Sequence, residues 1–469
     1  MKKLILAFAF GIGSFSLFAG AAVDAMTQDA TVLMTSLSAR QRYPWNGKVD
    51  IDFSFTCTIP EAFAFVNFKA TYKDKDGNTV EVPMKTFDQF TTAFCTNAGT
   101  YRVTWDSVAD APNLRVTNLQ YTVTANMAKY MVVDLSKGLK ATADDPYPVS
   151  YLEECPDPTR DDGGWTDEYK TTKMVFRLVQ PQTYKKGWNV EKFRNWDDTG
   201  AHNEQLTRPF YVAIFECTQG QVKKFYKNYT ADGNFRGGER ADARPYGCDS
   251  YNLWRGSAAD GYCWPQTSGS VDENSIVGQF RTRTGDENYD LPTESEWECI
   301  ARAGTDDAWG GDGLSRGGSP KTGEYSAVST PSNTLLNTLG RYKYNGGMLW
   351  NGTSWVQPDY FCDETHGTAV VGSYKPNAWG FYDTLGNLAE FCLDYYKGSM
   401  PWSGTLIDHV GTVPTSQASN LNRCVRGGGW YHDAKVASLP YRFDSPANTD
   451  QTWAGARLCW HFPYPAKTE

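Results

Sequence analysis

The part of the chain after residue 150 is rich in tryptophan and glycine but has almost no regular hydrophobic period. Of the 16 Trp residues in the 469-residue sequence, only Trp45 and Trp105 precede residue 150. A long segment of this kind is compact only if its loops are pinned by stacked aromatic side chains, disulfides or bound ions. Because the chain also contains 43 Gly, the sequence predicts a loop-rich fold with few helices.

Two helices nevertheless stand out in this part of the chain. The first is predicted over residues 219–229, where apolar side chains recur at positions 222, 225, 226 and 229. The second begins after Thr293, because Glu296 follows three residues later and completes a capping box. Glu294, Glu296 and Glu298 then lie near the positive end of the helix dipole.

The first 22 residues have the features of a signal peptide. Lys2 and Lys3 precede an apolar run over residues 4–18, and small residues follow at 19–22. The run is shorter than a membrane span needs. We therefore expect an exported, periplasmic or secreted protein with no membrane span after cleavage; an uncleaved N-terminal anchor is the alternative. Export would place the cysteines in an oxidising setting.

An all-β sandwich of immunoglobulin type is predicted for residues 23–145. Apolar and polar side chains alternate in short segments, and the sequence Asp76-Gly77 supplies a hairpin turn between two of them. Asp, Pro and Gly then cluster over residues 146–169, which predicts a linker before a second domain at 170–469. The predicted strands cover residues 49–55, 63–72, 79–82, 100–105 and 119–125.

Eleven cysteines raise the alternatives of disulfides, a metal site or a reactive thiol. Cys57 and Cys95 are the two cysteines of the predicted sandwich and hence the candidates for a pair within it. Cys248 and Cys263 flank a loop further along the chain. The odd total leaves at least one thiol unpaired or paired between chains, and the connectivity does not follow from the sequence.

Six segments between residues 170 and 465 resemble, in order, the motifs of the formylglycine-generating enzyme (sulfatase-modifying factor) family. The resemblance implies that family's C-type-lectin-like α+β fold, irregular and loop-rich, here preceded by the β-sandwich. It also places Cys392 and Cys459 after core motifs, where they could meet. The segments are residues 210–219, residues 291–298 (LPTESEWE) with 301–304 (ARAG), residues 371–383 (PNAWGFYD at its end), residues 385–391 (LGNLAEF), residues 425–430 (VRGGGW), and residues 441–442 with 455–457 (GAR).

The resemblance breaks down at the cysteines that bind copper in the aerobic enzymes of the family. Those two cysteines follow the RGGS motif with four residues between them, and thiolates suit Cu(I). Here His432 stands at the first position, and Ala437 or Ser438 stands at the second. No two of the 11 cysteines have that spacing. Copper is therefore not expected, and we predict a member of the family that acts as a protein- or glycan-binding module; the alternative is a formylglycine-generating oxidase.

No catalytic residue is identified with this pattern, but six residues are candidates to line a groove: Arg426, Trp430, His432, Ser438, Tyr441 and Arg442. A site centred on His432 and Asp433 would need further ligands from distant parts of the fold. None of the five histidines (His202, His366, His409, His432 and His461) lies at helical spacing from another. Carbohydrate stacking is a further possibility for the aromatic residues of Gly/Asn-rich segments: Trp350, Trp355, Trp402 and Tyr431.

A structural calcium site is the metal site that the resemblance supports. Asp383, Gly386, Leu388 and Glu390 match the family's calcium loop. Two carboxylates and two backbone carbonyls from one tight loop suit a hard cation that prefers oxygen. The alternative is that Asp383 caps the turn and Glu390 forms a salt bridge.

The charge balance bears on the partners. The formal net charge is -9, with 45 Lys+Arg against 54 Asp+Glu, and no long basic run offsets it. Nucleic acid is therefore not an expected partner. The expected partners are an exported protein, such as a sulfatase, or a glycan.

Overall fold

The computed structural model describes most of the chain after the predicted signal peptide. The described residues are 32–44, 46–57, 64–88, 94–116, 118–127, 129–152, 154–157, 163–187, 201–229, 240–256, 271–305, 336–347, 349–353, 355–356, 366–396, 404–411 and 422–461. Residues 1–22, and with them the expected cleavage site, lie outside these ranges. No helix within the described ranges is long and apolar enough to cross a membrane.

The N-terminal part is a two-sheet sandwich, as predicted. One sheet has the strand order β1-β2-β6, and the other is built on β3, which pairs with β4, β5 and β7. Inward-facing side chains of both sheets, among them Phe53, Trp105, Val66 and Val123, form one core. The strands are β1 (Val32–Gln41), β2 (Lys48–Cys57), β3 (Ala64–Lys73), β4 (Thr79–Val82), β5 (Phe94–Thr96), β6 (Gly99–Asp106) and β7 (Gln120–Met127).

The hairpin predicted at Asp76-Gly77 is confirmed by the pairing of β3 with β4 in antiparallel register. Gly77 has φ +85°, a conformation that glycine adopts without strain. Cys57 lies in one sheet of the sandwich and Cys95 in the other. The side chain of Cys95 is outside the described part of the structure, so the predicted Cys57–Cys95 pair stays a prediction.

The second part is built on a six-stranded sheet with the order β15-β23-β13-β10-β8-β9. Both faces of this sheet are buried. Along β10, Met174, Phe176 and Leu178 pack into one core, while Val175 and Val179 pack into another. A continuous apolar run suits a strand covered on both sides. The strands are β8 (Tyr130–Asp134), β9 (Val149–Leu152), β10 (Lys173–Val179), β13 (Phe210–Ala213), β15 (Tyr289–Asp290) and β23 (Cys459–His461).

This pairing corrects the predicted domain boundaries. β8 lies within the predicted sandwich range 23–145, and β9 lies within the predicted linker 146–169. Both belong instead to the six-stranded sheet, because β8 pairs with β10 over Tyr130–Asp134 and β9 pairs with β8. The residues that indicated a linker thus contain β9 and lie within the run of strands that forms one sheet, and the sandwich ends between β7 and β8.

Smaller sheets complete the second part. A five-stranded sheet has the order β14-β22-β18-β20-β21, and a three-stranded sheet has the order β11-β12-β19. β16 and β17 form a two-stranded ribbon. These strands are β11 (Gln182–Lys186), β12 (His202–Leu206), β14 (Gly247–Asp249), β16 (Leu349–Trp350), β17 (Trp355–Val356), β18 (Ala389–Tyr395), β19 (Thr405–Ile407), β20 (Asn422–Arg426), β21 (Phe443–Pro446) and β22 (Gln451–Gly455).

The helices are short, as the lack of hydrophobic period indicates. Both predicted helices are present: α3 begins at Gln219 but ends at Phe225, short of the predicted Tyr229, and α6 begins after Thr293 with both capping-box hydrogen bonds formed. The helices are α1 (Ser107–Asp110), α2 (Glu168–Thr171), α3 (Gln219–Phe225), α4 (Tyr251–Arg255), α5 (Ile276–Thr284), α6 (Glu294–Arg302), α7 (Leu336–Leu339) and α8 (Ala434–Ala437).

Candidate functional site

Helix α6 is the centre of the second part of the molecule, and every one of its residues is buried. Thr293 accepts the backbone N–H of Glu296, and the Glu296 carboxylate accepts the N–H of Thr293 at 2.7 Å. This reciprocal pair satisfies two N–H groups that the first turn of a helix would otherwise leave without partners. The helix can therefore begin inside the core, where water does not reach its first turn.

The acidic face of α6 binds Arg426, the first residue of the RGG segment (residues 426–428), and Arg442, which follows that segment. Glu294 accepts hydrogen bonds from Arg442 (Nη2 to Oε2, 2.8 Å) and from Arg426 (Nη1 to Oε1, 3.1 Å). Glu298 accepts from Arg302 (Nε to Oε1, 2.7 Å) and also pairs with Arg426. Arg426 also donates to the carbonyl of Leu439 at 2.6 Å. These contacts fix β20 and the loop after it onto α6.

Several cations keep these buried carboxylates ionised. Burial by itself would raise the pKa of Glu294, but Arg442, Lys186 and Arg426 hold that pKa well below its ordinary range. Glu298 behaves alike: burial opposes ionisation, yet Arg302 and Arg426 lower its pKa to about 2. Buried ions need this degree of pairing because their desolvation costs several kcal/mol each. The cluster is a structural support under the RGG segment.

The predicted calcium loop forms a tight turn between Asp383 and β18. Gly386 has φ +80°, and a Cβ there would lie 2.0 Å from the carbonyl oxygen of Arg341. Only glycine allows the two chains to approach this closely. Asp383 also has a positive φ of 55°. The turn therefore brings Asp383 and Glu390 into the same buried region.

Three buried carboxylates, those of Glu390, Glu216 and Asp383, lie near the guanidinium of Arg457, and Glu390 pairs with it directly. Glu390 accepts from Arg457 with both oxygens, at 2.6 Å each, and from the indole N–H of Trp297 at 2.7 Å. Glu216 accepts from the backbone N–H of Leu388 at 2.8 Å and from the Asn387 side chain. Asp383 accepts from the N–H of Gly372 at 2.7 Å through Oδ2. Its other oxygen, Oδ1, is buried and has no hydrogen-bond partner among the described residues.

The protonation of these groups reflects a shortage of positive charge. Burial raises the pKa of Asp383 to about 6, with a smaller contribution from the negative charge of Glu390. Burial and the charges of Asp383 and Glu390 raise the pKa of Glu216 well above its ordinary value. A bound cation would supply the missing charge and a partner for Oδ1 of Asp383. A cavity of about 630 Å³ begins beside this turn and is lined in part by Lys170 and Gly372.

The segment after β20 passes over α8 and carries the predicted groove residues. Gly428 has φ +66°, and a Cβ there would lie 2.8 Å from backbone atoms of Ala437. His432 follows, and its Nδ1 accepts the N–H of Gly429 at 2.8 Å. The ring proton is therefore on Nε2. Burial lowers the pKa of His432 to about 4, so the imidazole is neutral near pH 7.

Five partly exposed rings surround this point, and we call them the aromatic patch: Tyr431, His432, Tyr441, Phe443 and Trp453. Their centroids form a connected series, with Tyr431 stacked on His432 at 4.4 Å and Trp453 lying 5.2 Å from His432. Phe443 lies 5.3 Å from Trp453 and 6.0 Å from Tyr441. A polar rim borders the patch, where Lys343 pairs with the exposed Asp433 at 3.1 Å.

The six predicted groove residues thus fall into two groups. Arg426, Arg442, Ser438 and Trp430 are buried, and the two arginines are engaged with α6. His432 and Tyr441 are partly exposed and belong to the aromatic patch. Of the aromatic residues considered for carbohydrate stacking, Tyr431 also lies in the patch. The side chains of Trp350, Trp355 and Trp402 lie outside the described part of the structure.

The cysteines do not pair as the motifs suggested. Cys392 packs with Cys424, Trp297 and Leu439 in one core, whereas Cys459 packs with Cys299 in another. The expectation that Cys392 and Cys459 meet is therefore wrong, because they lie on strands of different sheets. The side chains of Cys248 and Cys263 are not among those described.

Among the described residues, a group of three buried side chains has the atoms to ligate a metal. Glu296, Cys459 and His461 have ligand atoms within 4.8 Å of one another. Cys459 and His461 lie two residues apart on β23 and hence on one face of that strand. The Glu296 carboxylate already has two partners at Oε2. This oxygen accepts the capping-box N–H of Thr293 and lies 3.0 Å from Nε2 of His461. This arrangement accounts for the group as a support for the start of α6.

With this geometry in place, the chain can be compared with known proteins. Residues 166–462 match the family model described as "Sulfatase-modifying factor enzyme 1-like domain", which is more than half of the chain. The chain belongs to the sulfatase-modifying factor family. Its fold is the loop-rich α+β fold of the formylglycine-generating enzymes, preceded by the β-sandwich.

Two similar relatives are formylglycine-generating enzymes. The one from Thermomonospora curvata is 31% identical over 143 residues, which cover 30% of this chain and 38% of the relative. The one from Streptomyces coelicolor is 30% identical over 148 residues, 31% of this chain and 37% of the relative. The chain therefore spans less than two fifths of either relative.

A longer match joins the chain to another kind of protein. The chaperone protein LppX of Paenibacillus barcinonensis is 24% identical over 247 residues, 50% of this chain and 75% of the relative. Among solved structures, Treponema denticola variable protein 1 has a TM-score of 0.42 at 19% identity, covering 63% of this chain and 98% of that one. PvdO from Pseudomonas aeruginosa has a TM-score of 0.42 at 17% identity, covering 61% and 94%.

The sequence did not reveal several members of these clusters. Glu216 lies 167 positions before Asp383 but contributes the third carboxylate of that region. Arg457 belongs to the closing motif of the resemblance, but the motif does not indicate that Arg457 pairs with Glu390. His202 and His409 both lie beside Glu204, through a 3.3 Å contact and a backbone N–H respectively. His202 and Glu204 lie two residues apart on β12, but the other contacts join segments that are far apart in the chain, and nothing in the spacing indicates them.

Proposed function

We propose that this member of the sulfatase-modifying factor family is an exported binding module that recognises a protein or a glycan through the aromatic patch. The observation that carries the proposal is the connected series of partly exposed rings around His432. His432 itself stands at the position where the family resemblance places the first copper-binding cysteine. Rings with one exposed face suit stacking against sugar rings or apolar side chains.

The sulfur chemistry around the patch supports binding rather than oxidation. Residues 427–442 contain no cysteine. Cys392 and Cys424 belong to the core beneath this segment, and both are fully buried. Burial raises the pKa of both thiols, so the thiolate form that copper needs is disfavoured. A substrate thiol bound at the patch would find no exposed thiolate pair within that segment.

The composition of the patch agrees with a binding role. A neutral imidazole, two phenols, a phenyl ring and an indole present apolar faces with polar edges, and Lys343 and Asp433 border them. Partners of this kind of surface combine apolar contact with a few hydrogen bonds. The partner class is therefore an exported protein, such as a sulfatase, or an oligosaccharide.

Binding can be tested with two sets of probes on the full-length protein. A peptide carrying a sulfatase cysteine motif and a panel of neutral oligosaccharides would be titrated by calorimetry. We expect one set to bind saturably and Tyr431→Ala to weaken binding by about tenfold, as loss of a stacking ring costs on the order of 1 kcal/mol. Tyr43→Ala is the matched control, since Tyr43 is 85% exposed and lies in the sandwich.

The oxidase alternative has its own readout in the same samples. The peptide would be incubated with the protein and added Cu(I), then analysed by mass spectrometry for conversion of the thiol to an aldehyde. Turnover of the peptide would overturn the binding-module proposal. Absence of saturable binding by either probe set, or equal weakening by Tyr43→Ala, would also count against it.

We also propose that the turn at Asp383 holds a structural calcium ion. Asp383, with its buried oxygen lacking a partner, and the carbonyls of Gly386 and Leu388 would supply ligands. Glu216 is a further carboxylate close to Asp383 that the motif did not include. Glu390 is less available than the motif suggests, because its carboxylate already accepts three hydrogen bonds. The ion would pin the loop and balance the buried negative charge.

A further inference from the structure

Two buried cysteines face each other across a strand pair below the aromatic patch. β18 and β20 are antiparallel, with Glu390 opposite Arg426 and Phe391 opposite Val425. Cys392 follows Phe391 on β18 and Cys424 precedes Val425 on β20, so the two cysteines are next to this pair, and the register shifts between Phe391 and Tyr395. Both side chains are fully buried in the same core as Trp297 and Leu439.

The distance between such positions suits a covalent bond. Directly opposed residues of an antiparallel pair have Cα atoms about 4.5–5.5 Å apart, and disulfides span Cα separations of about 4.4–6.8 Å. The two side chains pack into the same core, and a hydrogen bond joins their thiols. Neither strand therefore needs a large movement for the sulfurs to join.

The other cysteines with described side chains lie in different surroundings. Cys299 and Cys459 belong to the core on one side of the six-stranded sheet, and Cys217 belongs to the core on the other. Cys57 is in the sandwich, and Cys155 lies in the segment between β9 and α2. Within the described part of the chain, Cys392 and Cys424 are each other's natural partners.

We propose that Cys392 and Cys424 form a disulfide that joins β18 to β20 beneath the aromatic patch. The oxidant is a disulfide-bearing molecule, either a protein or a small thiol in its oxidised form. One thiolate attacks that disulfide, and the resulting mixed disulfide is attacked by the second thiolate. The two S–H bonds are lost, one S–S bond forms, and the two electrons and two protons reduce the oxidant to two thiols.

The surroundings determine when this bond can form and break. Because burial raises the pKa of both thiols, they are protonated and shielded in the folded chain. Oxidation therefore takes place during folding, before α8 and residues 427–439 cover the pair. The same covering protects the finished bond, so reductants reach it only after unfolding.

The bond would fix the base of the proposed binding surface. Ala434, the first residue of α8, and Leu439, which follows the helix, pack in the same core as the two cysteines. β20 leads directly into Arg426 and the Gly427–Gly428 turn that carries the patch. Closing the loop of residues between positions 392 and 424 reduces the freedom of the unfolded chain and so stabilises the folded one.

The test is a peptide map of the full-length protein refolded in a glutathione redox buffer. Free thiols are alkylated in denaturant, the protein is digested without reductant, and cross-linked peptides are identified by mass spectrometry. We expect a Cys392–Cys424 cross-link in oxidised samples. Alkylation of both cysteines after refolding in excess oxidised glutathione, or a cross-link of either to another cysteine, would overturn the proposal.

Stability provides a second measurement. Reduction in denaturant before refolding should lower the thermal midpoint of the wild-type chain by several degrees, and Cys424→Ser should abolish that difference. Cys155→Ser is the matched control, because Cys155 is only half-buried and lies elsewhere in the fold. If Cys424→Ser does not fold, the wild-type peptide map still decides the matter without a variant.

Discussion

At the scale of single residues, the candidate site depends on how buried groups are charged. His432 is held neutral, since burial lowers its pKa and its Nδ1 is already an acceptor. For Asp383 and Glu216 the pKa is raised instead, because burial disfavours their ionised forms and too little positive charge lies nearby to offset it. We therefore expect His432 to make the stability of the protein depend on acid, and Asp383 and Glu216 to make it depend on a bound cation.

Replacing His432 should reduce acid sensitivity. Its pKa falls from 6.5 to about 4 in the folded protein. Below pH 6.5 the unfolded chain takes up a proton that the folded chain refuses, so the stability present above pH 6.5 is lost as pH falls toward 4. The loss amounts to about 2–3 kcal/mol. We expect His432→Gln to unfold with a weaker pH dependence between pH 7 and 4.5, measured by urea titration.

The control for this prediction is His366→Gln, which changes another partly exposed histidine in a different segment of the chain. The change in slope in His432→Gln is judged against the change that this variant shows. An unchanged slope in His432→Gln would show that the imidazole is not the group responsible.

Removing calcium should lower the thermal midpoint of the wild-type protein. The proposed ion neutralises the Asp383 region, so a chelator leaves buried carboxylates without a partner. Asp383→Asn should lose most of that chelator effect, and Asp433→Asn, on an exposed carboxylate, should keep it. Asp383→Asn is a sharper test than Glu390→Ala, because Glu390→Ala would also remove the carboxylate that pairs with the buried Arg457. Equal midpoints with and without chelator would contradict the site.

At the scale of elements, α6 joins the RGG segment to the core through Glu294. Local sequence was enough to predict where the helix begins, because a capping box is complete within four residues. The partners of Glu294 could not be predicted in this way, since Arg426 and Arg442 lie 132 and 148 positions further along the chain. The sandwich strands were likewise predictable from the alternation of apolar and polar side chains. The sheet to which β8 belongs was not predictable, because its partner β10 comes only after β9 and α2.

Glu294→Gln should be strongly destabilising. The substitution leaves Arg426, Arg442 and Lys186 in the core without one of their counter-ions, and breaking a buried ion pair costs about 3–5 kcal/mol. Glu296→Gln is the matched control in the same helix, because glutamine also completes a capping box and the expected cost is below about 1 kcal/mol. Denaturant unfolding followed by circular dichroism measures both. Similar losses in the two variants would rule out a special role for Glu294.

At the scale of the whole molecule, the important boundary is the one between β7 and β8. The sequence placed it near residue 145, where Asp and Pro accumulate, but the strand pairing places it near residue 128. Composition marks turns well and does not show which sheet a strand joins. The two parts of the chain also have separate cores. The sandwich has a core of its own, whereas β8 and β9 complete the six-stranded sheet of the part that carries the candidate site.

Truncation should therefore succeed at one boundary and fail at the other. A chain of residues 129–469 keeps all six strands of the larger sheet, and we expect it to unfold cooperatively near the midpoint of that half in the full chain. A chain of residues 146–469 lacks β8, whose Met131, Val132 and Val133 are almost fully buried. Burial of each such side chain contributes about 1.5–3 kcal/mol, and domains are stable by only about 5–15 kcal/mol. Loss of β8 also leaves β9 without a pairing strand and exposes the hydrogen-bonding groups on one edge of β10. We therefore expect the shorter chain to aggregate or to show no cooperative transition in calorimetry. If the two truncated chains unfolded at the same midpoint, β8 would not be part of the structural unit that carries the aromatic patch.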